Sequence, residues 1–212
     1  MFYDAIANDH GLRHDPFKGL VVPRPIGWIS SLDRDGRPNL APYSFFNAIA
    51  DHPHLVMFSS EGRKDSLTNI ERTGEFVCNL AGWQLRHRMN ASSVAAPPEV
   101  SEFEVAGLAM APSVKVRAPR VAAAPAALEC RCVQTVKLTD VDGVPSSYHM
   151  VIGQVVGIHI ADEAIVDGIV DVTRLMPVAR LGYRQYAVVT EAFEMNRPRD
   201  VEIARAEADS TR

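Results

Sequence analysis

Along most of this chain apolar residues either alternate with polar ones or run in short blocks, and the blocks are rich in β-branched and aromatic side chains. Residues 26–32 (IGWISSL) and 37–43 (RPNLAPY) are two such stretches, and the Asp33-Arg34-Asp35-Gly36 between them supplies turn chemistry, which predicts a hairpin. A loop of aromatic and small polar residues follows at 44–47, then a nearly continuous apolar run at 54–60 of buried-strand type. Leu67 and Ile70 stand at helical spacing, with Asp65 or Ser66 placed to cap a short helix and Gly74 to stop it. Residues 75–80 alternate as a strand, and Leu85 and Met89, four apart, predict a short helix over 83–91.

The stretch 92–113, with its prolines, reads as a loop with a helical turn near 101–106, and 112–125 as an extended segment. Residues 126–139 and 147–160 predict two long strands joined at Val141-Asp142-Gly143, with Gly153 and Gly157 marking bulges or close backbone approach in the second. A loop with a short helix covers 162–177, and 181–191 closes the pattern. Strands with short interleaved helices, and no regular alternation with long ones, point to a mainly β barrel with helical additions and argue against a doubly wound sheet. The 212 residues suit a single domain over 1–196, followed by a polar tail at 197–212 that is expected to be mobile.

Composition narrows the function classes. A hydrophobic fraction of 47% with 23% charged residues is that of a soluble globular chain, and the net charge of −4 offers no basic field for nucleic acid. The N-terminal MFYDAIANDHG lacks the basic start and apolar core of a signal peptide, and no run approaches a membrane span, so a cytoplasmic location is expected. Cys78, Cys130 and Cys132 are too few for a disulfide framework; Cys130 and Cys132 read as core thiols in preference to a metal or redox pair. No metal site is expected: His10 and His14 lack further partners, and His52 and His54 flank a proline at a turn.

The candidate chemistry lies between residues 24 and 74. A strand, then Glu61-Gly62-Arg63-Lys64-Asp65-Ser66, then a helix start, describes either an anion pocket or an ordinary capped surface helix. In the first reading the unpaired N–H groups and positive dipole end of the helix, with Arg63 and Lys64 beside them, would bind a phosphomonoester.

PRPIGWISS, NLAPYSFFNAI, DHPHLVMFS and GRKDSLTNI, in that order and spacing, resemble the flavin reductase-like family of FMN-binding split β-barrels. The likeness continues through GLAMAPSVKVRAPRVAAAPAALEC, YHMVIGQVVGIHI and PVARLGYRQY, about residues 20–186. The resemblance implies non-covalent FMN near a homodimer interface, with NAD(P)H as a transient co-substrate. It places Arg63, Lys64, Asp65, Ser66 and Asn69 around the phosphate, and Trp28, Ser30, Ser44, Phe45, Asn47 and Ser59 toward the ribityl chain and ring. Core packing is the other reading for Trp28, Phe45 and Phe46. His149 is similar in position to a histidine near the flavin of related reductases, as a hydrogen-bond donor or nicotinamide seat; a structural histidine at a strand start is the alternative. Arg180, Tyr183 and Tyr186 resemble the family's C-terminal motif, read as packing or interface.

No two glycines are separated by a single residue, which excludes a G-x-G-x-x-G dinucleotide motif. Any NAD(P)H must then bind over the flavin without a Rossmann domain of its own. Three functions remain: hydride transfer from NAD(P)H through FMN to free flavin or another acceptor, FMN electron carriage without NAD(P)H activity, and a phosphate-ligand barrel without flavin.

Overall fold

The computed structural model describes residues 1–97 and 99–209. A short arm with helix α1 (Phe17–Leu20) leads into strands β1 (Arg24–Pro25), β2 (Gly27–Leu32), β3 (Pro38–Tyr43), β4 (Phe46–Ala50) and β5 (Leu55–Glu61), then helix α2 (Asp65–Thr73) and β6 (Glu75–Leu80). Helices α3 (Arg86–Ala91) and α4 (Glu102–Val105) and the small strands β7 (Met110–Ala111) and β8 (Arg120–Val121) form the middle of the chain. The long hairpin of β9 (Ala126–Thr139) and β10 (Pro145–Ile160) follows, then β11 (Ile165–Val166), β12 (Ile169–Val170), α5 (Val172–Leu175), β13 (Val178–Arg180) and β14 (Tyr186–Val188). The tail carries helix α6 (Val201–Asp209); residues 210–212, the end of the expected mobile segment, lie outside the described residues. No helix among the described residues is long and apolar enough to cross a membrane.

Seven antiparallel strands form one curled sheet in the order β3-β2-β6-β9-β10-β5-β4, so the β9–β10 hairpin sits at its centre. The register between β9 and β10 shifts at Ile152/Gly153 and at Val155/Gly157, the positions where glycine interrupts the strand pattern. Such bulges bend a strand and raise its twist, which lets so long a hairpin curl. Gly153 is required for another reason as well: a Cβ there would come within 2.3 Å of the Phe76 ring.

The concave face of the sheet and helix α2 enclose one core, built from Ile29, Phe58, Leu67, Ile70, Phe76, Cys130 and Val151. Helix α2 buries Ser66, Leu67, Asn69 and Ile70 along one stripe and ends at Gly74, whose φ of 72° is a left-handed conformation that glycine adopts without strain. The opposite face of β2 and β3 carries a second core of Trp28, Leu40, Leu85, Met89, Phe103 and Val121, covered by the 81–121 segment. Cys78 and Cys130 are buried in the first core as free thiols, and burial raises the Cys78 pKa well above its ordinary value.

Loop 113–118 is bolted to the hairpin by a buried carboxylate. Glu129 accepts hydrogen bonds from the amides of Val114 (2.8 Å), Lys115 (2.5 Å) and Val116 (3.2 Å), and its Oε1 lies 2.5 Å from His159 Nε2.

The residues read as loop at 44–47 divide differently: Phe46 and Asn47 open an edge strand, β4, that pairs with β5 alone.

Candidate functional site

The turn into α2 is set by Gly62, whose φ of 74° permits a sharp reversal and whose amide donates to the Ser147 carbonyl at 2.8 Å. The N-cap of α2 is Lys64, one residue before the expected Asp65 or Ser66, and it makes no side-chain cap hydrogen bond. The first-turn amides therefore keep their donors, and a cation stands at the positive end of the dipole, the arrangement an anion selects. Asp65 occupies the same first turn, so one carboxylate offsets part of that charge.

Ser66 ties this turn to β3. Its hydroxyl donates to Asn39 Oδ1 at 2.8 Å, Asn39 Nδ2 donates to Glu102 Oε2 at 3.0 Å, and the same oxygen accepts from the Leu40 amide at 3.0 Å. Asn69 joins the network from behind, donating to Ser31 Oγ at 3.3 Å. The network fixes where the helix start points, because every polar group in it is buried and partnered.

Above the helix start opens a cavity of about 440 Å3, walled by Asn39, Tyr43, Ser44, Phe45, Ser59, Glu61, Lys64, Asp65, Ser66, Glu102, Tyr148 and the 92–96 segment. Its volume is in the range of cofactor sites. A larger cavity of about 990 Å3 adjoins it and shares Lys18, Ser44, Phe45, Ser59 and Tyr148. Ser59 Oγ, on the shared wall, is buried and has no partner, an orphaned group that a ligand hydroxyl or carbonyl would satisfy.

Strand alternation decides which face of β10 meets these cavities. Tyr148 pairs in register with Glu61, and Met150 with Ser59, so this set faces the cavities; the intervening His149 and Val151 point to the α2 side. Burial raises the Tyr148 pKa, and the charge and hydrogen bond of Glu61 add to the effect. On the other face His149 is depressed by desolvation and by the positive charges of Lys137 and Arg63, and its Nδ1 is buried without a partner.

The flavin reductase like domain model matches residues 19–178, three-quarters of the chain. The chain belongs to this family. Among solved structures, the flavin reductase-like fold aligns with nitrilotriacetate monooxygenase component B of Bacillus cereus at 29% identity and a TM-score of 0.83, covering 92% of this chain and 98% of that one. It aligns with the 2-nitrobenzoate 2-nitroreductase of Pseudomonas fluorescens at 28% identity and 0.82, over 95% and 98%. A split barrel domain protein of Shewanella frigidimarina matches at 21% identity and 0.81, over 93% and 100%, which bears on the fold alone. The barrel expected from the strand pattern is thus a split one.

Within this flavin reductase-like barrel, the structure brings Ser44, Phe45, Ser59, Lys64, Asp65 and Ser66 together around the smaller cavity, and places Asn47 on the larger. Arg63 pairs with Glu71 on the outer side of α2, and Asn69 lies behind the helix start. Trp28 and Ser30 are both fully buried on the outer face of β2. The Trp28 indole donates to Ser92 Oγ at 2.9 Å, and Ser30 donates to the Pro119 carbonyl at 2.5 Å. Both pin the covering segment to the sheet and neither lines either of these two cavities, because alternation turns even-numbered β2 residues away from α2. Within the protomer His149 lines neither of these two cavities, and Tyr148 lines both.

Tyr148, Glu61, Glu102 and Lys18 are cavity residues that the sequence reading did not single out. Tyr148 and Glu61 follow from period-two alternation once Ser59 is placed, whereas nothing local marks Glu102 or Lys18.

Proposed function

We propose that the 440 Å3 cavity binds FMN non-covalently, with its phosphate at the start of α2. The observation that carries this reading is the uncapped α2 N-terminus with Lys64 at its N-cap, opening into a cavity whose Ser59 hydroxyl is buried and unpartnered. Lys64 would neutralise part of the dianion, the first-turn amides would donate to its oxygens, and Ser66 would hold the turn in place through Asn39. Ser44 and Ser59 are placed to hydrogen-bond a hydroxylated chain and a polar ring edge, and Phe45 and Tyr148 to exclude water beside them. When bound, FMN would supply the redox chemistry, taking hydride from NAD(P)H and giving electrons to free flavin or another acceptor. Two neighbours, one a monooxygenase component and the other a nitroreductase, support an oxidoreductase whose acceptor is either a separate partner or a small molecule. A homodimer with the flavin near its interface belongs to the same reading.

The test begins with the absorption spectrum of purified protein, identification of any released chromophore, and FMN titration of the apoprotein. Flavin bands, FMN release and saturable rebinding support the reading; a colourless protein that ignores added FMN ends it. Anaerobic NADH or NADPH should bleach the bound flavin rapidly, and slow bleaching rescued only by an added reductase would identify an electron carrier instead. Lys64→Ala is expected to weaken FMN binding by ~1.5–3 kcal/mol, the scale of a hydrogen bond to a charged group. Unchanged affinity in that variant would remove the phosphate from the α2 start.

A further inference from the structure

Arg24 is a buried cation with no anion. It is only 7% exposed; its Nη1 donates to the carbonyls of Lys18 (2.6 Å) and Val21 (2.5 Å), its Nη2 to that of Leu181 (2.9 Å), and its Nε is buried without a partner. No carboxylate pairs with it among the described residues. Its cross-strand neighbour is a second cation, Arg180, held by the Tyr183 carbonyl and the Tyr186 ring. Like charges opposite one another in a ladder repel, and a desolvated guanidinium without a counter-charge is costly. Burial, with Arg180 beside it, lowers the Arg24 pKa, but an arginine stays charged at neutral pH.

The same hydrogen bonds stitch the N-terminal arm to the rim of the 990 Å3 cavity and bring Lys18 to the wall that the two cavities share. Among the described residues Lys18 forms no ion pair either. Around it the larger cavity is apolar, with Phe17, Val21, Phe45 and Met150 on its wall. Its one acidic residue, Asp140, has Oδ1 engaged by the amides of Asp142 (3.0 Å) and Val144 (2.8 Å). The larger cavity thus joins an apolar wall to the Lys18 ammonium at the end it shares with the smaller cavity, whose own carboxylates, Glu61, Asp65 and Glu102, lie on the smaller cavity's wall and not on the larger one's, and this fits an apolar body with an anionic end.

We propose that the larger cavity takes a small aromatic carboxylate, with Lys18 as its direct partner and Arg24 as a positioning residue that holds Lys18 and adds positive charge behind it. A monoanion fits better than a phosphate because the Arg24 fork is already committed to backbone carbonyls, leaving one ammonium as the point of contact. The proposal rests on the flavin reading only in that the aromatic occupant would lie beside the bound ring.

The test compares benzoate with benzamide, which differ in charge and little in size, by ligand-observed NMR titration of the full chain with and without saturating FMN. Benzoate is expected to bind at least ~10-fold more tightly than benzamide, with FMN present, and to lose that advantage as salt screens the charge. Lys18 is exposed, so its substitution leaves the core intact; Lys18→Gln should abolish the preference and Lys18→Arg should keep it. In Arg24→Met, checked for folding by circular dichroism, benzoate affinity should fall while benzamide affinity holds. Equal affinities in the wild type, full preference in Lys18→Gln, or displacement of benzoate by FMN would each overturn the proposal. Equal loss of both ligands in Arg24→Met would overturn its positioning role. If FMN fails to bind while the benzoate preference persists, the flavin reading falls and this one stands; the converse result removes only this one.

Discussion

Glu129→Ala is expected to lose ~3–5 kcal/mol of stability in urea unfolding, the cost of taking a buried carboxylate away from the donors gathered on it. The carboxylate is 0% exposed and collects three amides of one loop together with His159, so its removal leaves the buried Val116 amide without a partner and frees three part-buried donors beside it. The closeness of Gly157, where a Cβ would stand 3.3 Å from Glu129 Cδ, leaves little room for rearrangement. Burial acts to raise the Glu129 pKa, but the hydrogen bonds from His159, Val114 and Lys115 outweigh it together and hold the carboxyl below its ordinary value. A group depressed on folding stabilises the native state fully above its unfolded pKa of ~4.3, and that contribution disappears as pH falls through the folded value. Urea midpoints of the wild type should therefore drop steeply below about pH 4, with a flatter profile for Glu129→Gln. An alanine variant within ~0.5 kcal/mol of wild type, the range of ordinary surface changes, would mean that the loop is held by other contacts.

Phe76→Ala should cost a similar ~3–5 kcal/mol, here by opening a cavity. The ring is 0% exposed, meets Phe58 edge-on at 5.8 Å, and fills the space that Gly153 leaves on the bulged strand. The fit runs in both directions: Gly153→Ala must push the ring aside, at ~1–3 kcal/mol. Combining Gly153→Ala with Phe76→Leu should cost less than the sum of the two single changes, since the smaller side chain makes room for the methyl. Strict additivity in denaturant titrations would show that the two sites do not share the space between them.

What the chain disclosed before folding follows a physical line. Strands β9 and β6 and helix α2 were legible because pattern, turn residues and stops all lie within each segment, as with Leu67 and Ile70 inside α2 and Gly74 beside its end. Strand β4 was hidden, since most of its residues are exposed and its extended form comes from pairing with β5. The α2 start, one end of the candidate site, was readable for the reason that α2 was. The side-wall residues were not: whether Tyr148 or His149 faces the cavity depends on the register of β10 against β5, which no single strand encodes. Trp28 looked like a ring neighbour by resemblance, yet alternation sets it with Leu40 in the outer core. Lys18 stands on the cavity wall beside Arg24, which joins its carbonyl to that of Leu181, a partner far away in sequence.

The central position of the β9–β10 hairpin also governs the order in which the sheet can be made. During synthesis the first 125 residues hold two sets of paired strands, β3-β2-β6 and β5-β4, which pack side chains in a common core but share no hydrogen-bonded neighbour strand until residues 126–160 arrive. Each piece must wait on the ribosome with an unpaired edge, β6 on one and β5 on the other, and unpaired edges invite association with other chains. The hairpin is local in sequence and forms early once synthesised, whereas its docking on both sides closes long loops and sets the slow step. Nascent chains truncated before residue 126 should accordingly require a holding chaperone that the full-length chain, with both edges covered, does not.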